Sequence, residues 1–171
     1  MQIAERNLDT AWPESLPLPL AQFLDYWRGL RQRAGRLPRR REIDPLEMPR
    51  GLLPGIGIFD WLPQDNGAIR IRYRLLGDNH TQAVQRNLSG CYFDEVHAPD
   101  TVAALQAEYA VILAGGEPAY AHRATPLPNH EFAVFQRIIS PLLDDQDQPR
   151  HLIGYWLWEN LGNEPRYRNT L

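Results

Sequence analysis

The sequence predicts an α+β fold: a five-stranded antiparallel sheet with helices on one face and an amphipathic helix ahead of it. Three observations carry this expectation. The stretch Ala68 to Gly77 (AIRIRYRLLG) alternates, with Ile69, Ile71, Tyr73 and Leu75 on one side and Arg70, Arg72 and Arg74 on the other. Strict alternation of this kind reads as a half-buried strand. The preceding run, Gly55 to Leu62 (GIGIFDWL), reads as a second strand, and Pro63 to Gly67 (PQDNG) as the hairpin loop between them. Three further apolar runs follow a long helical stretch near the C-terminus. Five strands with a helical insertion after the second fit an antiparallel sheet with helices packed on one face.

At 171 residues, one domain with some decoration is expected. A hydrophobic content of 43% is ordinary for a folded globular chain. A net charge of −3 argues against bulk attraction to nucleic acid or to a membrane. One cysteine excludes an internal disulfide and a multi-thiolate metal site. No run of about 18 apolar residues exists, so no membrane-spanning helix is predicted. The first residues, MQIAERNLDTAWPES, lack the basic-then-apolar pattern of a signal peptide. A cytoplasmic protein is the resulting expectation.

Residues 1–19 read as an arm, polar and then proline-rich at Pro13, Pro17 and Pro19. Residues 20–54 hold an amphipathic helix and a connector rich in proline and arginine. The helix runs from Leu20 to Ala34, with an apolar stripe of Leu20, Phe23, Leu24, Trp27 and Leu30. Gly35 is its stop. Beyond it, Pro38, Pro45, Pro49 and Pro54 forbid a long helix. Residues 55–159 form the core. After the opening hairpin come a short helix over Asp78 to Arg86, a turn and short element over Asn87 to Phe93, and a connector to Pro99. Asp100 to Ala114 is a long helix with Asp100 as its N-cap and a stripe of Val102, Leu105, Tyr109, Ile112 and Leu113. Three strands close the core: Glu117 to Ala124, Glu131 to Leu142 and His151 to Glu159. Residues 160–171 are a C-terminal tail.

The last two strands carry bulky apolar residues at both parities. Phe132, Val134 and Ile138 stand against Phe135 and Ile139, and Leu152 and Trp156 against Ile153, Tyr155 and Leu157. A sheet with one wet face alternates more cleanly. Both faces of this half are therefore expected to be covered, one by the long helix and connectors, the other by the N-terminal helix or by a second subunit.

This order of elements resembles a PAS domain, and more narrowly the short single-domain PAS-like proteins of alphaproteobacteria. The resemblance runs from about Phe23 to Trp158. Its pieces are FLDYWRGLRQRAGRLPRRREIDP, LLPGIGIFDW and YRLLGDNHTQAVQRNLSGCYFDEV, then QRIISPL in the fourth strand and HLIGYWLW in the fifth. The resemblance implies a five-stranded sheet whose concave face encloses a small cavity with the helices. It also implies sensing or protein–protein signalling rather than catalysis, although fold alone does not fix function.

Individual motifs narrow the cofactors and partners. Blue-light PAS domains carry a flavin-reactive cysteine directly after an asparagine in a GRNCRFLQ-like run. Here the run is SGCYFDEV, which puts Cys91 two positions early and Phe93 at the reactive place. This disfavours flavin, and a buried, inert thiol is the default. Haem needs an axial histidine, and none of His80, His97, His122, His130 or His151 lies on the long helix. The arginines at positions 28, 31, 33, 36, 39, 40 and 41 form a basic segment, the one feature that suggests a nucleic-acid-associated factor. Glu42, Asp44 and Glu47 follow at once, so a solvated face with local ion pairs is favoured, and a patch for an acidic protein partner is a third use. Asp144, Asp145 and Asp147 lack the central glycine and closing glutamate of a calcium loop and read as a polar hairpin tip. No GxSxG, HExxH or Walker A run occurs, and no catalytic residue is assigned.

The expected role is a non-catalytic sensory or regulatory module that holds a small ligand, binds a partner signalling protein, or does both. The candidate cavity takes Tyr73 from the second strand and His80, Cys91 and Tyr92 from the connectors. It adds Tyr109 from the long helix, Tyr120 and His122 from the third strand, and Phe135 and Trp156 from the last two. Aromatic walls with a few polar tips suit a small-molecule site. They equally suit a core whose tyrosines find hydrogen-bond partners. A homodimer is expected, with Phe23, Leu24, Trp27 and Leu30 at its interface.

Overall fold

The hairpin expected at residues 55–77 forms, and the rest of the sheet is assembled beside it. A computed structural model describes residues 6–127 and 130–159. Its elements are β1 (Arg6–Asp9), α1 (Leu18–Ala34), β2 (Ile56–Pro63), β3 (Ile69–Leu76), α2 (Asp78–Val84), α3 (Phe93–Val96), α4 (Pro99–Gly115), β4 (Ala119–Leu127), β5 (His130–Leu143) and β6 (Pro149–Trp158). Single 3-10 turns occupy Arg40–Glu42 and Leu53–Gly55. The strands lie in the order β1-β4-β5-β6-β2-β3, each antiparallel to its neighbours. The expected α+β architecture is present, with six strands in place of five. The tail at 160–171 and the first five residues of the arm lie outside the described residues.

The additional strand is β1, inside the stretch that reads as an arm. Its sequence, RNLD, has no apolar alternation, and Leu8 remains half exposed. An edge strand needs only backbone pairing on one side, so it leaves little mark on hydrophobic pattern. Asn7 pairs with Arg123 in register.

Helix α1 covers one face of the sheet. Its stripe, Leu20, Phe23, Leu24, Trp27 and Leu30, packs on Ile56, Ile58, Ile138, Leu142 and Ile153. The Trp27 indole donates to the Pro141 carbonyl at 3.1 Å, tying the helix to β5. Gly35 ends the helix in the left-handed region, φ 66°, with its N–H on the Arg31 carbonyl. These contacts correct the expected dimer seam. Phe23 and Trp27 are 0% and 1% exposed, and Leu24 and Leu30 are also buried, all within one chain. Of the two covers weighed for this face, the helix is the one present.

The other face is covered by α2, α3 and α4. Leu105, Tyr109, Ile112 and Leu113 of α4 meet Phe59, Phe135, Ile139, Leu152 and Trp156. The N-cap lies two positions earlier than the acidic signal suggests: it is Ala98, with Pro99 the first helical residue and Asp100 inside the first turn. Proline's fixed φ suits that place and its missing N–H costs nothing there. Among the described residues, no helix is long and apolar enough to cross a membrane.

Two local departures matter for the cavity face. A β-bulge lies between β2 and β3: Ile58 pairs with Leu75 while Phe59 pairs with Tyr73, so Arg74 is the extra residue. The alternation therefore breaks after Tyr73. Leu75 turns outward, 48% exposed, and Leu76 packs against the core in its stead. At the end of β3, a Cβ on Gly77 would collide with the Leu53 and Pro54 carbonyls. Only glycine lets the hairpin close this tightly against the 3-10 turn.

Candidate functional site

Between the sheet and helices α2–α4 lies a cavity of about 60 Å³. Its floor comes from alternate residues of the strands. Phe59 of β2 stands at the centre of an aromatic cluster, its ring centroid 5.5 Å from Tyr73, 5.6 Å from Phe93 and 5.5 Å from Trp156. Trp156 lies over a paired glycine couple, Gly57 on β2 and Gly154 on β6. A Cβ on Gly154 would come within 2.5 Å of that indole, so the bare backbone makes the slot in which the ring sits.

Polar groups interrupt this apolar wall. Arg137 of β5, only 1% exposed, reaches across to α4. Its Nη1 donates to the Tyr109 hydroxyl at 3.0 Å, and its Nη2 to the Glu108 carboxylate at 2.9 Å. The same carboxylate accepts from Arg123 of β4 at 2.6 Å, and Arg123 Nε donates to the Asn7 side chain at 2.6 Å. One chain of charge-assisted bonds thus runs from the cavity wall to the edge strand β1. On the other side, the Tyr73 hydroxyl and His97 Nε2 are 2.5 Å apart. His80 on α2 packs edge-on against Trp156 and bonds the Gly55 carbonyl through Nε2 at 3.0 Å. Burial pushes the His80 imidazolium down to about 4, the carbonyl pulling weakly the other way. At neutral pH the ring is uncharged and donates its Nε2–H. Two further lining groups, Thr125 Oγ1 and Trp158 Nε1, are buried with no hydrogen-bond partner among the described residues.

Of the nine candidate side chains, Tyr73, His80, Tyr109, Phe135 and Trp156 line this cavity. Cys91 and Tyr92 do not. Cys91 packs against the rim of the core, its backbone bonded to Tyr73, and the Arg70 guanidinium covers the Tyr92 ring at 3.6 Å. Tyr120 and His122 are corrected outright, because they lie on the α1 side of the sheet. There the Tyr120 hydroxyl donates to Gln136, and His122 Nε2 is 3.1 Å from the Glu159 carboxylate. The register of β4 on β5 sets this: Tyr120 stands opposite Ile138, and Arg123 opposite Phe135. The cavity parity of β4 is thus Arg123, Thr125 and Leu127.

Sequence reasoning missed Thr125, Arg137, Trp158, Phe93 and His97. Arg137 and Trp158 were within reach, since each lies two positions from a chosen residue, Phe135 and Trp156, on the same strand face. Thr125 lies beyond the expected end of its strand. His97 follows α3 in the connector, where no periodicity fixes direction.

On the α1 side, a separate polar knot centres on Asp60. This carboxylate is 1% exposed and accepts from Arg72 at 2.6 Å, Arg74 at 3.1 Å and His151 Nδ1 at 2.9 Å. Burial raises its pKa, but the bonds from His151 and Arg72 and the charge of Arg74 outweigh it and hold the group at about 2. The basic segment is paired in turn. Arg31, Arg36 and Arg39 lie 2.7–2.8 Å from Glu117, Glu42 and Asp147, and Arg33 and Arg41 lie 3.5 Å from Glu47 and Asp145. The hairpin-tip aspartates thereby serve as partners of the arginines. A phosphate at any of these five arginines would have to compete with its carboxylate. Among the described residues, no group of three or more histidine, cysteine, aspartate or glutamate side chains is placed to hold a metal ion.

A protein-family model described as "PAS domain" matches residues 17–157. No curated protein matches the chain. A solved structure, the sensory box histidine kinase/response regulator from Burkholderia thailandensis E264, aligns at 14% identity and a TM-score of 0.39 over 61% of this chain and 77% of that one.

Proposed function

Because the chain belongs to the PAS domain family, we propose that it is a sensory module whose cavity binds a small molecule and whose state is read by a partner protein. PAS domains are in general sensory rather than catalytic, and this reading assigns no reaction to the chain. The observation that carries it is the cavity itself. Protein interiors are close-packed, with few voids larger than a water. Here about 60 Å³ stays open beside two buried polar groups, Thr125 Oγ1 and Trp158 Nε1, that no described residue satisfies. Unsatisfied buried donors are costly, so a site of this kind favours an occupant that completes it.

The chain of bonds from Arg137 through Glu108 and Arg123 to Asn7 gives the occupant a route outward. An occupant that shifts Arg137 changes what Glu108 offers Arg123, and hence how β1 is held on the sheet edge. The partner would read that edge.

Native mass spectrometry of the purified chain tests the reading. A saturable small-molecule adduct, released on mild unfolding and restored by millimolar small molecules where purification strips it, is the expected result. A bare-chain mass in every preparation, with millimolar small molecules added as well as without, removes the ligand and leaves only partner binding. The same spectrum reports subunit number, and the expected homodimer would have to use a surface other than the buried α1 stripe. The nucleic-acid reading predicts retention on heparin that falls steeply with salt.

A further inference from the structure

We propose that the cavity's ligand is a small uncharged carbonyl compound of the primary-amide type, held by Trp158 and Thr125. The proposal rests on the sensory-pocket reading above and specifies what fills it. Trp158 and Thr125 sit on strands that flank β5 and both line the cavity. They are 8% and 3% exposed, and neither Trp158 Nε1 nor Thr125 Oγ1 has a hydrogen-bond partner among the described residues. An indole N–H is a donor only, so whatever completes it must present an acceptor. A hydroxyl both donates and accepts, so a molecule with an acceptor and an N–H donor satisfies the two together.

Charge and size narrow the class. The cationic group on the wall, Arg137, already bonds the Tyr109 hydroxyl and the Glu108 carboxylate. His80 is neutral, with its pKa at about 4. A carboxylate ligand would therefore compete with Glu108 for Arg137, and an ammonium would meet the Trp158 donor. An uncharged carbonyl meets neither obstacle. A single water needs roughly 10–15 Å³ of such space, so a cavity of about 60 Å³ takes some four heavy atoms. Ligands this small bind no tighter than roughly tens of micromolar.

Acetamide and acetate test this directly, being nearly isosteric and differing in charge. The readout is the indole N–H resonance of Trp158 in the full chain, identified by its loss in Trp158→Phe. Acetamide is expected to shift that resonance saturably, and acetate to do so at least about five-fold more weakly. Thr125→Val, which keeps the shape and removes the hydroxyl, is expected to weaken acetamide about five-fold while the melting transition stays cooperative. Equal or stronger binding of acetate overturns the proposal. So does an unaltered Trp158 resonance with both probes. If that null result comes with a stoichiometric adduct by native mass spectrometry, the ligand class is wrong and the sensory pocket stands. If it comes with a bare chain and an indole proton exchanging magnetisation with water, both fail.

Discussion

The two faces of the sheet are built from the same strands and are used differently. On the α1 face, five helix side chains at three- and four-residue spacing meet a largely aliphatic wall, with Phe23 stacked on Tyr155, and the helix is pinned by the Trp27 indole. Its main buried charge, Asp60, is surrounded by three partners. On the opposite face, three helices of different lengths meet aromatic rings, and the fit leaves a cavity beside Thr125 Oγ1 and Trp158 Nε1, which have no hydrogen-bond partner among the described residues. One 17-residue helix lies on the first face, whereas the 17-residue α4 shares the second with the shorter α2 and α3 and their connectors. Both faces bury a hydrophobic cluster, and the second also leaves a cavity.

The largest expected effect breaks the α1 face. Trp27→Ala removes a 1% exposed indole and its bond to Pro141, at a cost of about 3–5 kcal/mol. Urea denaturation measures it, and the folded fraction is expected to keep any native-mass adduct. A cost below about 1 kcal/mol would show that α1 is a peripheral decoration.

Acid separates the two faces. On the cavity side, His80 is depressed from 6.5 to about 4. Between those values the unfolded chain binds the proton and the folded chain does not, so stability falls as pH drops from about 6.5 to 4. The loss is on the order of 3 kcal/mol. His80→Gln is expected to flatten this window in pH-dependent denaturation, and an unchanged slope would place the titrating group elsewhere.

On the α1 side the window is lower. Asp60 is depressed from 3.8 to about 2. Its contribution is complete above the unfolded value and disappears as pH falls through the folded one, a loss of about 2 kcal/mol. Comparing the wild type with Asp60→Asn between pH 4 and 2 isolates this term, because the amide does not titrate there. Parallel curves for the two proteins would contradict it.

The smallest effect sharpens the contrast within the cavity. Tyr109→Leu keeps apolar bulk but removes the hydroxyl that accepts from Arg137. It is expected to cost about 1 kcal/mol of stability. If the hydroxyl also helps to present Arg137, partner recognition fails in a pull-down while the fold survives. Intact recognition would assign Tyr109 to packing alone.

Legibility followed the same division. The α1 stripe was readable because one helix packed along one largely aliphatic face obeys its own period. The hairpin at residues 55–77 was readable down to its loop. The apolar residues at both parities of β5 and β6 correctly announced two covers. At the cavity, Tyr73, Tyr109, Phe135 and Trp156 were found as bulky aromatics on the expected elements. Tyr120 and His122 were chosen by the same preference for large side chains and fell on the wrong face. The small Ala119 and Ala121 of β4 alternate with them and hide the true parity.

The sequence by itself determined the kinds of elements, their order, and the need to bury both sides of the sheet. These follow from period and composition within a dozen residues of any point. Only the tertiary structure decided which side each residue of β4 faces, because a one-residue change of register turns every side chain over, and register depends on a partner strand. It also decided that Arg74 is a bulge, which turned Leu75 outward and Leu76 in. The arginine inside β5 reads locally as an error in an apolar strand. It became a cavity wall only when α4 brought Glu108 and Tyr109 within 2.9 and 3.0 Å of it. Such a charge is tolerated by partners distant in sequence, and no local pattern records them.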